Sequence, residues 1–415
     1  MEQLDSSLTL FQKDPQDTGV LSRDYVEYRP VNQLTDDSPL GFNIPATSIN
    51  YIDLKKTRLH VRLQLLKPDG NPVDQDDPVG LVNSPLNSIF SQVDLQLQQQ
   101  PVSQLGTNYP YKAYLDSLLG TDRLTQESKL SSEGFIPDSA GFMDDPNPKT
   151  GGNSGLFMRY NFTKEGKVVD FEGPLFLDVC QQDRLMLNGV PLQIKLWPHT
   201  DNFRLLCTLP GFKVHLRDAC LKICVVKPNP GVLLGHGEAI KKTPALYPFS
   251  RSNIKTYSLS PGHFAFNADD LFQGEVPNTL VIGCVSSVAY NGTYNRSPFN
   301  FQHFYCSFLN FSVDGRSVPS RALQPDFENN TYIEAYETLF ANTEKAINIS
   351  RGDYPKGYCL YVINCQDGGN LTTLKKGHTR LEMKFAHALI ESVTIILYAT
   401  FPHVMQIDQA RNVYF

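Results

Sequence analysis

The stretch Ser84-Pro85-Leu86-Asn87-Ser88-Ile89-Phe90-Ser91-Gln92-Val93-Asp94-Leu95-Gln96-Leu97 decides how this chain is built, because its features return later in the same order. Ser84-Pro85-Leu86-Asn87 recurs as Ser297-Pro298-Phe299-Asn300. Val93-x-Leu95-x-Leu97, followed by Val102, recurs as Leu309-x-Phe311-x-Val313, followed by Val318. An Ala-Tyr segment comes next in each series: Tyr111-Lys112-Ala113-Tyr114 with Leu118-Leu119, then Ile333-Glu334-Ala335-Tyr336 with Leu339-Phe340. Leu192-x-Ile194-x-Leu196 and Leu381-x-Met383-x-Phe385 stand late in the two halves. The spacing between partners drifts along the series, as loops of unequal length require. A domain-sized unit has been duplicated in tandem, which is not the pattern of a solenoid of short repeats.

The unit is made of strands. Leu59-His60-Val61-Arg62-Leu63-Gln64-Leu65 and the repeated strands above alternate apolar and polar residues, so each has one face in a core and one in a polar setting. Asn188-Gly189 and Asp314-Gly315 sit between such runs, where positive φ is needed for a tight hairpin. Helix signals are few. Pro110–Leu119 follows Asn108 and stops at Gly120, and Thr331–Ala341 opens with the capping spacing Thr331-x-x-Glu334. The fold class expected is all-β: a tandem double jelly roll, two eight-stranded antiparallel sandwiches with one short helix in each half. The alternation lapses over Pro198–Gly211, which places the seam there. The division is an N-terminal arm (1–24), a first jelly roll (25–205), a second jelly roll (206–408) and a C-terminal tail (409–415).

Composition narrows the function. The 415 residues suffice for two cores, and 41% hydrophobic content with 28 Gly and 28 Pro describes a folded, turn-rich chain. A net charge of -6 without a basic block argues against direct nucleic-acid binding. The longest apolar run, Val393–Phe401, is too short for a transmembrane segment. Met1–Asp14 carries no leader pattern, so synthesis in the host cytoplasm is expected, with Asn-x-Ser/Thr triplets such as Asn161 and Asn370 unmodified. The eight cysteines, mostly inside apolar runs, read as buried free thiols.

No nucleophile elbow, paired-histidine zinc helix, Cys-x-x-Cys or phosphate loop occurs, so no catalytic residue, metal site or cofactor is expected, and the chain reads as no enzyme. Gly235-His236-Gly237-Glu238 lacks a third glycine and reads as a loop. Cys220 and Cys224 share one strand face without further ligands, and Asp74, Asp76 and Asp77 form an acidic solvated loop. One tripeptide, Arg351-Gly352-Asp353 before Tyr354-Pro355, has the form of an exposed integrin-type attachment turn.

Several segments resemble the double jelly-roll major capsid proteins of double-stranded DNA viruses, most closely the Polinton (Maverick) and adintovirus-like group. They include Tyr25-Val26-Glu27-Tyr28-Arg29-Pro30, Asn87–Asp94, Asn108–Tyr114, Arg159–Glu165, Gln182–Asn188, Pro298–Phe301 and Arg380–Ala386, spread over nearly the whole chain. The resemblance implies a homotrimer of pseudo-hexameric outline that tiles an icosahedral capsid with neighbouring trimers, vertex (penton) proteins and minor capsid proteins. The virion is then its location. It also implies that Lys67–Asp77 and Ser131–Gly155 lie at the trimer tower or between neighbours. The arm around Leu8-Thr9-Leu10-Phe11 is expected against the shell interior or a neighbouring subunit. The competing reading is a two-domain jelly-roll protein that binds carbohydrate or another ligand.

Overall fold

The computed structural model describes residues 18–103, 106–340, 346–365 and 375–415. Eight strands form the first sandwich: β1 (Val20–Tyr28), β2 (Leu40–Ile44), β3 (Tyr51–Leu66), β4 (Phe90–Leu97), β5 (Gln100–Pro101), β6 (Val169–Gly173), β7 (Leu192–Pro198) and β8 (Lys213–Pro228). Its sheets run β1-β8-β3-β6 and β2-β7-β4-β5. The second sandwich holds β9 (Ala245–Leu259), β10 (Ala265–Asp269), β11 (Thr279–Ser286), β12 (Cys306–Val313), β13 (Arg316–Leu323), β14 (Leu360–Asn364), β15 (Thr379–Phe385) and β16 (Val393–Ile407). Its sheets run β9-β16-β11-β14 and β10-β15-β12-β13. The second order is the first repeated strand for strand, and every sheet pairing is antiparallel.

Each repeated motif falls on equivalent positions. Val93–Leu97 lies in β4 and Leu309–Val313 in β12, while Leu192–Leu196 lies in β7 and Leu381–Phe385 in β15. Both Ser-Pro-x-Asn segments turn the chain before those strands, with the Asn87 amide donating to the Ser84 carbonyl (2.9 Å) and Asn300 to Ser297 (3.3 Å). Alternation produces the cores: in β3, Leu59, Val61, Leu63 and Leu65 are all buried, and Leu381, Met383 and Phe385 are buried in β15. The Asp314-Gly315 turn joins β12 to β13 with positive φ at both residues, as a two-residue hairpin demands.

Four expectations need correction. The seam is not at Pro198–Gly211. Strand β8 begins only at Lys213 and pairs with both β1 and β3, so it completes the first sandwich, and the link to the second is Asn229–Pro244. Local alternation cannot say which half a strand pairs with. The arm is shorter than 1–24, because β1 starts at Val20; Leu8–Phe11 lies outside the described residues. Within the tail at 409–415, Val413–Tyr414 pairs back on β16. At Asn188-Gly189 there is a turn but no hairpin, since Met186 makes only an isolated bridge to Ile52 and the turn is held by the Thr47 carbonyl. Helices exceed one per half. Beside α1 (Tyr109–Gly120) there are α2 (Ser154–Thr163), α3 (Pro230–Ala239) and α4 (Ile333–Glu337). The last has Tyr332, not Thr331, at its cap, while Glu334 pairs with Arg321.

Connections alternate between the ends of each sandwich. At the loop end, the Gly262 amide donates to the Leu389 carbonyl (2.7 Å) and Ala386 to Tyr305 (2.8 Å). At the base, Asp314 donates to His378 (2.9 Å) and Gly377 to Gly274 (3.0 Å). The two rolls stand side by side with like ends together. At the loop end Cys207 donates to Tyr294 (2.8 Å), and at the base the Tyr247 hydroxyl donates to the Leu185 carbonyl (3.2 Å).

Candidate functional site

Between the rolls lies α1. Pro110 fixes its first turn, and apolar or aromatic residues surround it on all sides, so the helix is buried nearly throughout. Its aromatic face meets the second roll. Tyr114 stacks on Phe299 at 4.2 Å with rings 1° from parallel, and Tyr111 stacks on Tyr290 at 5.5 Å. Such pairs add about 0.5–1.5 kcal/mol each beyond simple area burial.

The helix also brings a charge into this interface. Lys112 is fully buried, with its ammonium 2.7 Å from Asp116 one turn on and 3.1 Å from Asp178. Burial alone pushes the Lys112 pKa down, but Asp116, Tyr398 and Asp178 more than reverse this, and it lies well above the ordinary lysine value. Both carboxylates reach across to the second roll. The Tyr398 hydroxyl donates to Asp116 (2.7 Å), and the Ser252 backbone amide (2.7 Å) and hydroxyl (2.8 Å) donate to Asp178. Ser252 lies on β9, at the rim of its sheet, so Asp178 satisfies an amide that would otherwise be left to another strand. The junction thus fixes the relative placement of the two sandwiches through directional bonds as well as packing.

A second buried pair organises the long segment between β5 and β6. The fully buried Arg159 guanidinium on α2 donates to the Leu81 carbonyl (2.8 Å), the Ile136 carbonyl (2.7 Å) and Asp138 (2.5 Å). Ser131–Gly155 is therefore pinned, and it meets the second roll where the Tyr358 hydroxyl donates to the Asp138 carbonyl (2.6 Å). The same end of the first roll carries Lys67–Asp77, as the connection between β3 and β4 dictates.

The singled-out residues fall as follows. Arg351, Gly352 and Asp353 are exposed in a turn at the loop end, where Ser350 donates to Asp353 (2.6 Å) and the Tyr332 hydroxyl to the Arg351 carbonyl (3.1 Å). Gly235-His236-Gly237-Glu238 is not a loop but part of α3, with His236 2.9 Å from the Tyr51 hydroxyl. Asp74 and Asp77 face Lys67, and Asp76 faces Lys149 (2.7 Å), so each acidic residue of that loop has a lysine partner. All eight cysteines are buried, Cys220 and Cys224 among them. Among the described residues no cluster of His, Cys, Asp or Glu could hold a metal ion, and no helix is long and apolar enough to cross a membrane. The Lys112 junction was not singled out from sequence. Its only signal was a Lys and an Asp four apart inside an otherwise apolar helix.

No protein-family profile matches the chain. An uncharacterized protein of Caenorhabditis elegans is 25% identical over 411 residues, covering 92% of this chain and 94% of that protein. Among solved structures, one from the Sputnik virophage aligns with TM-score 0.65 at 12% identity, over 100% of this chain and 92% of its own. The PBCV-1 virus capsid gives 0.58 at 8% identity, over 98% and 100%. The mavirus major capsid protein gives 0.53 at 11% identity, over 100% and 95%. The likeness is one of fold. This chain has the double jelly-roll fold that these structures share.

Proposed function

We propose that the chain is a major capsid protein of a virus or element of the Polinton (Maverick)/adintovirus-like group, and that it trimerises into pseudo-hexameric capsomers that tile an icosahedral shell. One observation carries this: two sandwiches of identical strand order are locked side by side by a buried junction, so each chain is a single block with two like walls. Three such blocks around an axis present six walls, which suits a hexagonal lattice built from closed symmetric units. The loop ends point one way and the base, with both described chain ends, the other. This gives a shell subunit distinct outer and inner faces. Neighbouring trimers, vertex (penton) proteins and minor capsid proteins are its partners, and the virion its location.

Size-exclusion chromatography with light scattering at micromolar concentration is expected to return trimers or larger assemblies. A strictly monomeric species across that range would remove the assembly reading and leave a two-roll ligand-binding protein.

Arg351, Gly352 and Asp353 stand in this reading as an integrin-type attachment turn on the outer face. The geometry required is display, and the turn has it: all three residues are exposed while Tyr354 beside them is fully buried and anchors the loop. Asp353→Glu, which keeps the charge but moves the carboxylate, is expected to lower attachment to integrin-bearing cells at least fivefold, on the ordinary sensitivity of charge-assisted contacts to a one-carbon shift. Equal attachment of both proteins would end that assignment.

A further inference from the structure

A cavity of about 570 Å³ opens at the loop end where three connections of the second roll meet the first roll. Its lining includes Asp144 from the first roll and Gln302, His303, Tyr305, Lys356 and Ile390 from the second. This volume lies within the range of small-molecule sites, about 300–1,000 Å³.

The backbone at its wall is unusual. Phe304 and Tyr305 both have positive φ, +43° and +55°, a region that Gly or Asn enters readily and bulky residues rarely. The turn is clamped in place. The Tyr305 amide donates to the His303 Nδ1 (2.9 Å), the Ala386 amide to the Tyr305 carbonyl (2.8 Å), and the Cys306 amide to the His303 carbonyl (2.8 Å). An aromatic side chain is thus held, 44% exposed, where the fold alone would be better served by Asn or Gly.

The wall is rigid and carries polar groups of both kinds. His303 stacks on Phe327 at 4.2 Å, and Tyr305 stands edge-on to His303 (4.8 Å) and His387 (5.2 Å). Since Nδ1 of His303 accepts from a backbone amide, the proton of the neutral ring is on Nε2, and burial lowers its pKa to about 4, so it stays a neutral donor at physiological pH. Asp144 supplies an acceptor, Gln302 an amide with both functions, and Lys356 an exposed ammonium.

An aliphatic ligand would leave the His303 Nε2 donor and the Gln302 amide without partners, and a simple anion would make no use of the aromatic wall and would meet Asp144, one oxygen of which already accepts from the Ser297 amide (2.9 Å). A ring with apolar C–H faces and hydroxyls on its rim satisfies both. We propose that this cavity is a binding site for a neutral pyranose sugar, with Tyr305 as the platform and His303, Asp144 and Gln302 as hydroxyl partners. The site stands whether or not the chain assembles, so its test is independent of the capsid reading.

The experiment is saturation-transfer NMR on the full chain with four probes, methyl glucoside, methyl galactoside, N-acetylglucosamine and lactose, and with octanoate as an apolar control. At least one sugar is expected to show saturation of its ring C–H protons. Tyr305→Asn is expected to reduce that signal at least fivefold while its thermal midpoint stays level or rises, because Asn relieves the turn; Tyr305→Phe is expected to retain binding. No saturation of any of the four sugars, saturation of octanoate alone, or an undiminished signal in Tyr305→Asn would each overturn the proposal.

Discussion

Replacing Lys112 by Ala is expected to destabilise the protein by about 3–5 kcal/mol, the usual consequence of breaking a buried ion pair from one side. The ammonium is the counter-charge for both Asp116 and Asp178, and it is itself enclosed while the two carboxylates keep only a small exposed edge. The loss should fall on the junction, so protease sensitivity should rise at the segments that cross it, such as the connection holding Asp178, before either sandwich core is cut. Differential scanning calorimetry with timed proteolysis reads both effects. A triple variant, Lys112→Met with Asp116→Asn and Asp178→Asn, removes all three charges but keeps one oxygen at each position, to accept from Tyr398 and from the Ser252 amide, while the new 178 NH2 can donate to the Ser252 hydroxyl. It should recover most of the loss, because the penalty comes from unpaired charge and not from the absence of a lysine. A Lys112→Ala protein within about 0.5 kcal/mol of the parent would show that the ions are solvated and do not couple the rolls.

The second large effect is a fall in stability between about pH 4.5 and 7, set by Glu133. This residue is 1% exposed, and its carboxyl has the Asn87 side-chain amide at 3.3 Å. Burial raises its pKa from 4.5 to about 7, with Asn87, Lys129 and Arg58 pulling weakly the other way. A group whose folded pKa is raised holds its proton in the folded chain after the unfolded chain has released it. The folded state therefore binds more protons in this window and stability declines as pH rises, by about 3 kcal/mol once both states are ionised. Below pH 4.5 the contribution is complete; above 7 it is gone. His199 and His303, whose pKa values burial lowers to about 4, act in the opposite direction as pH falls. The clean measurement is therefore the difference between the parent and Glu133→Gln. That difference should grow from near zero at pH 4.5 to its full size at pH 7.5, with the variant the more stable. A pH-independent difference would show that Glu133 is already ionised in the folded chain.

The architecture was legible where side-chain period and turn chemistry speak for themselves. The alternating runs of β3, β4, β7, β12 and β15 lie in sheets, Asp314-Gly315 makes its hairpin, and α1 lies within a residue of its expected ends. The order of repeated motifs also carried over, since the paired segments occupy equivalent strands in the two rolls. What failed were statements about partners at long range. Strand β8 has the same pattern whichever sandwich it joins, and only its pairing with β1 and β3 assigns it to the first. The histidine and glycines of α3 looked like loop residues because local propensity does not register that Pro230 and the Asn229 cap set a helix there.

By itself, then, the sequence determined that there are two β units, that they are copies, and which residues of each strand face inward, because these follow from period and repetition along the chain. Only the tertiary structure decided where one unit ends, that Lys112 is enclosed by carboxylates bonded to both rolls, and that Tyr305 and Asp144 line one cavity. Those facts depend on residues far apart in the chain meeting in space, and packing, not local pattern, settles which of them meet.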